Sequence, residues 1–287
     1  MIQGQPRLSE SVIGARGRDS HNPGRFHTQQ TTGFSMDVKD KVIVVTGAGR
    51  GLGRGIAKML ASKGAKVACV DLNEADLAET VQVCKDAGGD GQAFIANVAK
   101  EDDVEKLFAD VVSELGGLHG VVNNAGITRD GLLVKAKDGQ ITKMPLQQWQ
   151  AVIDVNLTGV FLCAREAAAK MIELGVDEGV IVNISSLARQ GSFGQSNYSA
   201  AKSGVAALAE VWAKELARYN IRTGAVAPGT INTDMIAAMK AEARDRLVSA
   251  VPLKRIGEPE HIAMSVLFIF ENSYFTGRCI DTDGGLR

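Results

Sequence analysis

Val42-Ile-Val-Val-Thr-Gly-Ala-Gly-Arg-Gly-Leu-Gly53 runs four apolar β-formers straight into a glycine-rich turn. Behind the turn, Leu52, Ile56, Met59 and Leu60 repeat at helical spacing, and Gly64 is placed to end that helix as a C-terminal cap. A short unbroken apolar run bounded by turn residues reads as a strand buried on both faces. Gly47, Gly51 and Gly53 are spaced G-x-x-x-G-x-G, which allows a tight turn, close approach of main chain to a pyrophosphate, and free amides at a helix N-terminus facing its charge. Val67 to Val70 is the next strand, and Asp71 closes it 24 residues after Gly47. An acid there hydrogen-bonds a ribose 2′-hydroxyl and repels a 2′-phosphate, although Asp71 would also serve as a cap for the helix opening near Glu74.

The same alternation continues outward. Helical segments are expected from Glu74 to Asp86 and from Glu101 to Leu115, with strands at Gln92 to Ala96 and Leu118 to Val122. A long helical stretch follows from Leu146 to Leu174, then strands at Gly179 to Ile184, Arg222 to Val226 and Arg278 to Asp281, with a helix at Glu260 to Phe270. Short apolar runs alternating with amphipathic segments specify repeated βαβ units and a parallel sheet. Residues 129–144, centred on Asp138-Gly139 with lysines at 135, 137 and 143, read as a polar hairpin or loop at the mouth of a substrate site. Residues 230–255 have helical composition with little fixed apolar period, as a lid has.

Residues 1–35 differ from all that follows, being dominated by Gly, Gln, Ser, Thr, Arg and His without an apolar period. They are expected to form a disordered N-terminal tail, leaving 36–287 as one dinucleotide-binding catalytic domain. Met36 is a candidate start with an upstream leader before it. Arg7, Arg16, Arg18 and Arg25 suit a transit peptide, and Glu10 and Asp19 oppose one.

A net charge of -1 with scattered Lys and Arg gives no electrostatic footprint for nucleic acid or an anionic membrane, and no apolar run approaches the ~20 residues of a membrane span. Cys69, Cys84, Cys163 and Cys279 are widely spaced without a CxxC, and the four histidines share no metal-ligand spacing with them. A reduced, cytoplasmic protein without a metal is expected.

Chemistry concentrates in Asn183 to Gly204. Tyr198 and Lys202 lie four apart in a helical segment, so they share one face and the ammonium can favour the phenolate of a side chain that otherwise titrates near ~10. A hydroxyl from Ser185 or Ser186, at the end of the strand before, reaches the same place.

From Val38 to its end the chain resembles a short-chain dehydrogenase/reductase. Thr46 to Gly53, Asn123 to Gly126, Asn156, the Ser185/Ser186 pair, Tyr198-Ser-Ala-Ala-Lys202 and Pro228-Gly229 stand in that family's order. Within it the chain is most similar to the 3-oxoacyl-(acyl carrier protein) reductases, through Asn124-Ala-Gly-Ile-Thr-Arg-Asp130, Gly194-Gln-Ser-Asn-Tyr198 and Asp283-Gly284-Gly285.

The resemblance implies a Rossmann-type doubly wound parallel sheet, a single α/β domain with helices on both faces. It also implies a homotetramer and an NAD(P)-dependent enzyme moving a hydride between nicotinamide and a carbonyl or secondary alcohol. The foremost expectation is reduction of a 3-oxoacyl thioester. NAD-linked oxidation of a hydroxyacyl-CoA, sugar or other alcohol is the alternative, and a binding module without turnover is opposed by the intact Asn156, Ser186, Tyr198 and Lys202.

By the same resemblance Tyr198 is the general acid or base, Lys202 lowers its pKa and holds the nicotinamide ribose, Ser186 orients the carbonyl oxygen, and Asn156 positions a relay water. The cofactor would lie against Gly47, Arg50, Gly51, Leu52, Gly53, Asp71, Asn97, Val98, Asn124, Ala125, Gly126, Tyr198, Lys202, Pro228, Gly229, Ile231 and Thr233. Asn97 stands where the family more often has Asp. Asp71 favours NAD, while Arg50 leaves NADP open. The usual spacing of thirteen before the tyrosine selects Ser185, and the strand end selects Ser186 with a shortened loop. Ser186 is the expected residue, because strand ends fix geometry while loops absorb deletions.

Overall fold

The structure, a computed structural model, describes residues 36–233, 236 and 239–286. The tail expected over 1–35 lies outside the described residues.

Seven parallel strands form the central sheet: β1 Val42–Thr46, β2 Lys66–Asp71, β3 Asp90–Ile95, β4 Gly120–Asn123, β7 Gly179–Ile184, β8 Ile221–Pro228 and β9 Arg278–Thr282. Their order is β3-β2-β1-β4-β7-β8-β9. The chain winds outward from β1 to β3, then restarts on the other side of β1 at β4. That reversal opens a crevice at the carboxyl ends of β1 and β4, where ligands of doubly wound sheets bind.

Alternation within the first strand explains why it had to be apolar throughout. Ile43 and Val45 face a core shared with α1 (Gly51–Ser62), α2 (Glu74–Asp86) and α8 (Pro259–Glu271), while Val42 and Val44 face one shared with α3 (Glu101–Leu115) and α5 (Gly159–Glu173). Helices therefore cover both faces, and each strand residue meets a core whichever way it points. Gly64 closes α1 in the left-handed conformation at φ 86°, its N–H bonded to the carbonyl of Ala61 at 2.8 Å.

Two regions qualify the sequence pattern. The stretch from Leu146 to Leu174 is interrupted: α4 (Leu146–Ile153) passes into a π-turn at Asp154–Thr158 before α5 begins. Nothing in the apolar spacing marks this insertion. The polar segment at 129–144 forms an antiparallel hairpin of β5 (Val134–Lys137) and β6 (Gln140–Lys143). Asp138 and Gly139 turn it with φ of 51° and 75°, the left-handed pair that a two-residue hairpin turn requires. Of residues 230–255, expected to form a lid, the described part includes α7 (Ala241–Ala250), and Ile231 pairs with Gly257.

Candidate active site

A cavity of about 940 Å³ occupies the crevice. At one end lie Val70, Asp71, Leu72, Ala96, Asn97 and Val98; Gly47, Arg50, Leu52 and Asn124 to Gly126 line its middle; Ser186, Tyr198 and Lys202 stand at the other end with Pro228, Gly229, Ile231 and Thr233. Of the residues expected at the cofactor or the chemistry, Gly51, Gly53 and Asn156 are not part of the lining.

The glycines of the turn are required for different reasons. A Cβ on Gly53 would come within 2.0 Å of the Gly47 carbonyl oxygen, so the first turn of α1 packs against the loop only without a side chain. Gly47 has φ 64° and would drive a Cβ to 2.8 Å from the Ala125 Cα. Gly51, at φ 55°, serves conformation alone, since the nearest atom to a Cβ there is 3.8 Å away. Arg50, at the N-cap of α1, makes no side-chain capping bond. Arg54 and Thr80 brace the turn from behind: Arg54 Nε donates to the Gly49 carbonyl at 3.1 Å, and Thr80 Oγ1 donates to that of Ala48 at 2.8 Å.

Asp71 does not cap α2; Asn73 does, accepting from Ala75 and Asp76. Asp71 instead accepts from the Gly49 amide at 3.0 Å with Oδ2 and from Leu72 at 2.7 Å with Oδ1. Those bonds pin its carboxylate beside the glycine turn.

Both serines line the cavity. Ser185 is buried and its hydroxyl donates to the main-chain carbonyl of Lys202 at 2.7 Å, whereas Ser186 Oγ accepts from the Ala188 amide at 3.1 Å and acts on Tyr198, opposing the rise in its pKa. Lys202, only 3% exposed, donates from Nζ to the Ile184 carbonyl at 2.7 Å. Burial pulls its pKa down to about 8. Its Nζ lies 5.6 Å from the centroid of the Tyr198 ring.

Tyr198 is displaced upward, not downward. Burial is the largest cause, the Ser186 hydrogen bond opposes it, and the negative charge of Asp130 adds to it. In the protein alone, desolvation therefore outweighs the lowering expected from Lys202, whose ammonium is engaged by Ile184.

Asn156 is fully buried in the π-turn. Its side chain grips the main chain of Ile127, accepting from N at 2.9 Å and donating to O at 3.0 Å. It shapes the wall of the cavity from behind and does not enter it.

Sequence reasoning overlooked Asn197. Completely buried, it donates from Nδ2 to the carbonyls of Arg129 (3.0 Å) and Gln148 (3.2 Å) and accepts the Tyr198 amide at 2.8 Å. Gln195 adds a hold on the Asp130 carboxylate at 3.0 and 3.1 Å. Both stand in the quoted Gly194 to Tyr198 stretch, but no spacing rule distinguishes a buried amide from a solvated one.

Comparison with known proteins agrees with this geometry. Residues 47–287 match the family model described as Enoyl-(Acyl carrier protein) reductase. The 3-oxoacyl-[acyl-carrier-protein] reductase FabG of Thermotoga maritima is 40% identical over 254 residues, covering 88% of this chain and 99% of the relative. The chain belongs to the short-chain dehydrogenase/reductase family. The reductase of the same name from Staphylococcus epidermidis is 41% identical over 251 residues, 86% of this chain and 99% of the relative. A solved structure from Agrobacterium tumefaciens, provisionally described as a gluconate dehydrogenase, is similar with a TM-score of 0.79 at 33% identity, covering 88% of this chain and 97% of that one. As a short-chain dehydrogenase/reductase the protein is an NAD(P)-dependent oxidoreductase acting on CH–OH and C=O groups. The glycine cradle, the carboxylate beside it and the Tyr198 end suit a nicotinamide dinucleotide laid along the cavity. No described helix is long and apolar enough to cross a membrane.

The depressed pKa of Lys202 has a consequence for stability. Between about pH 8 and the ordinary lysine value of 10.5, the folded protein holds fewer protons at this site than the unfolded chain. This group alone then makes stability rise with pH in that window, by up to ~1.4 kcal/mol per unit. Below pH 8 both states are protonated and its burial cost is fully present. Thermal unfolding of wild type and Lys202→Met from pH 7 to 10.5 should show the wild type gaining on the variant above pH 8; parallel curves would contradict the assigned shift.

Proposed function

We propose that this protein reduces the keto group of 3-oxoacyl thioesters with NADH. The observation that carries the reading is a single cavity joining the Asp71 carboxylate to Tyr198, Ser186 and Lys202. The acyl-carrier-protein reductases at about 40% identity support the thioester.

When bound, the nicotinamide supplies the hydride. The Tyr198 hydroxyl delivers a proton to the carbonyl oxygen, and Ser186 hydrogen-bonds that oxygen. Lys202 favours the tyrosinate left behind and holds a ribose hydroxyl. Asn156 acts as a positioning residue through Ile127. Gly47, Gly51 and Gly53 admit the pyrophosphate, Asp71 binds the adenosine ribose, and Asn97 and Val98 bound the purine. Ile231 and Thr233 lie at the nicotinamide end with Pro228 and Gly229. Met239 and Leu247 give the remaining wall apolar character suited to an acyl chain.

Asp71 also favours a second reading, NAD-linked oxidation of a hydroxyacyl-CoA, sugar or other secondary alcohol. The same groups then act in reverse, with Tyr198 as base. Resemblance to the family supports a homotetramer, and the free buried thiols of Cys69, Cys84 and Cys163 support the reducing cytoplasm.

A panel of acetoacetyl thioesters, sugars and simple ketones, assayed with NADH and NADPH, tests the substrate class; turnover of sugars or simple alcohols alone would favour the second reading. Tyr198→Phe should lower kcat by roughly 10²–10⁴-fold while leaving cofactor affinity within about twofold. Retention of most of kcat would remove Tyr198 from the chemistry. Asp71→Ala loosens the turn for both cofactors, so the ratio is the readout: preference for NADH over NADPH should fall by roughly tenfold or more. An unchanged ratio would detach Asp71 from the ribose.

A further inference from the structure

The first turn of α6 (Ser196–Leu216) contains a donor that the helix itself cannot satisfy. Amides in the first turn of a helix have no helical carbonyl to bond, and the N-cap side chain commonly supplies the acceptor. Gln195 stands at the N-cap and makes no such bond, because its side chain is engaged with the Asp130 carboxylate. The amide of Tyr198, third residue of the helix, donates instead to Asn197 Oδ1 at 2.8 Å.

That acceptor is fixed from outside the helix. Asn197 is fully buried, and its Nδ2 donates to the main-chain carbonyls of Arg129 at 3.0 Å and Gln148 at 3.2 Å. The two carbonyls stand on either side of the β5–β6 hairpin, one before β5 and one in α4. Carbonyls only accept, so together they hold the NH₂ of the carboxamide and leave its oxygen for the Tyr198 amide. Gln148 Nε2 ties the same segment to itself, donating to the carbonyls of Arg129 at 2.9 Å and Asp130 at 3.0 Å.

Loss of the Asn197 side chain would fall unequally on these partners. The Arg129 carbonyl would keep Gln148 Nε2, whereas the Tyr198 amide has no other acceptor among the described residues. Four residues on, Lys202 would still be held to Ile184 and Ser185. The first turn would therefore loosen at the residue that carries the phenol while the rest of α6 stayed anchored. Proton transfer needs its heavy atoms within ~2.6–3.2 Å, so a displacement on the order of 1 Å slows it. We infer that Asn197 is a positioning residue for proton transfer, holding the main chain of Tyr198 in register with the segment that flanks the hairpin. The inference rests on Tyr198 being the proton donor of the proposed reaction.

A double-mutant cycle with Tyr198→Phe tests it. A residue that acts through the Tyr198 hydroxyl has nothing left to position once that hydroxyl is gone, whereas general damage to the site slows both backgrounds by the same factor. Single turnovers at saturating dinucleotide are followed by the loss of reduced-nicotinamide absorbance, with whichever acetoacetyl thioester, sugar or ketone the wild type turns over fastest. Asn197→Ala should slow the step at least about tenfold in the wild-type background and less than about twofold in Tyr198→Phe, a coupling factor of about fivefold or more. Asn197→Leu, which keeps the shape of the side chain without its polar atoms, stands in if the alanine variant fails to fold. A coupling factor below about fivefold in the variant that folds would overturn the proposal. A Tyr198→Phe enzyme that keeps its rate, or a wild type that turns over none of these compounds, is a different result: the reading on which the inference rests then fails.

Discussion

Two hydrogen bonds between the end of β7 and α6 (Ser196–Leu216) hold the site together. Lys202 Nζ donates to the Ile184 carbonyl and Ser185 Oγ donates to the Lys202 carbonyl, both at 2.7 Å. The pair is reciprocal: each segment supplies a donor and an acceptor to the other. Because both bonds are buried, neither competes with water, and losing one would strand a buried polar group at a cost of ~1–3 kcal/mol. With α6 fixed against the strand end in this way, Tyr198 has one place to go, beside Ser186. Asn197 then ties the same helix to the Arg129 segment, so the opposite wall is registered to the tyrosine as well.

The electrostatic cost of this construction falls on the groups that would do the chemistry. Burial lowers Lys202 to about 8 and raises Tyr198, so in the protein alone both are biased toward their neutral forms. Asp130 adds a negative charge that disfavours the phenolate further. In the proposed reaction a nicotinamide ring, positive once oxidised, would supply an opposite charge beside Tyr198, and ribose hydroxyls would offer Lys202 partners beyond Ile184. The tyrosinate left by proton transfer would then be favoured only with the oxidised cofactor in place.

Much of the fold was legible in the sequence for a local reason: strands buried on both faces must be apolar throughout, and Val42 to Val45 is such a run. The Asp138-Gly139 turn announced its hairpin through two residues that tolerate positive φ. Asp71 was legible as the end of a strand, though the bonds that pin it to the turn were not. The π-turn around Asn156 escaped because one extra residue per turn leaves no mark on polarity; within it the Asn156 side chain, expected to position a relay water, is bonded to the main chain of Ile127. The serine ambiguity was a matter of spacing against strand position. Both hydroxyls line the cavity; they differ in that Ser185 is bonded to the Lys202 carbonyl in the β7–α6 connection, while Ser186 accepts from the Ala188 amide, which favours Ser186.

The central claim is that burial holds Tyr198 neutral until a cofactor lies against it. Labelling the tyrosine ring at Cζ with ¹³C and following the Tyr198 resonance with pH should show it ionising above the ~10 of a free tyrosine in the protein without dinucleotide. With oxidised dinucleotide bound it should ionise below that value. A Tyr198 that ionises at or below ~10 in the free protein, or does not move on binding, would contradict the account.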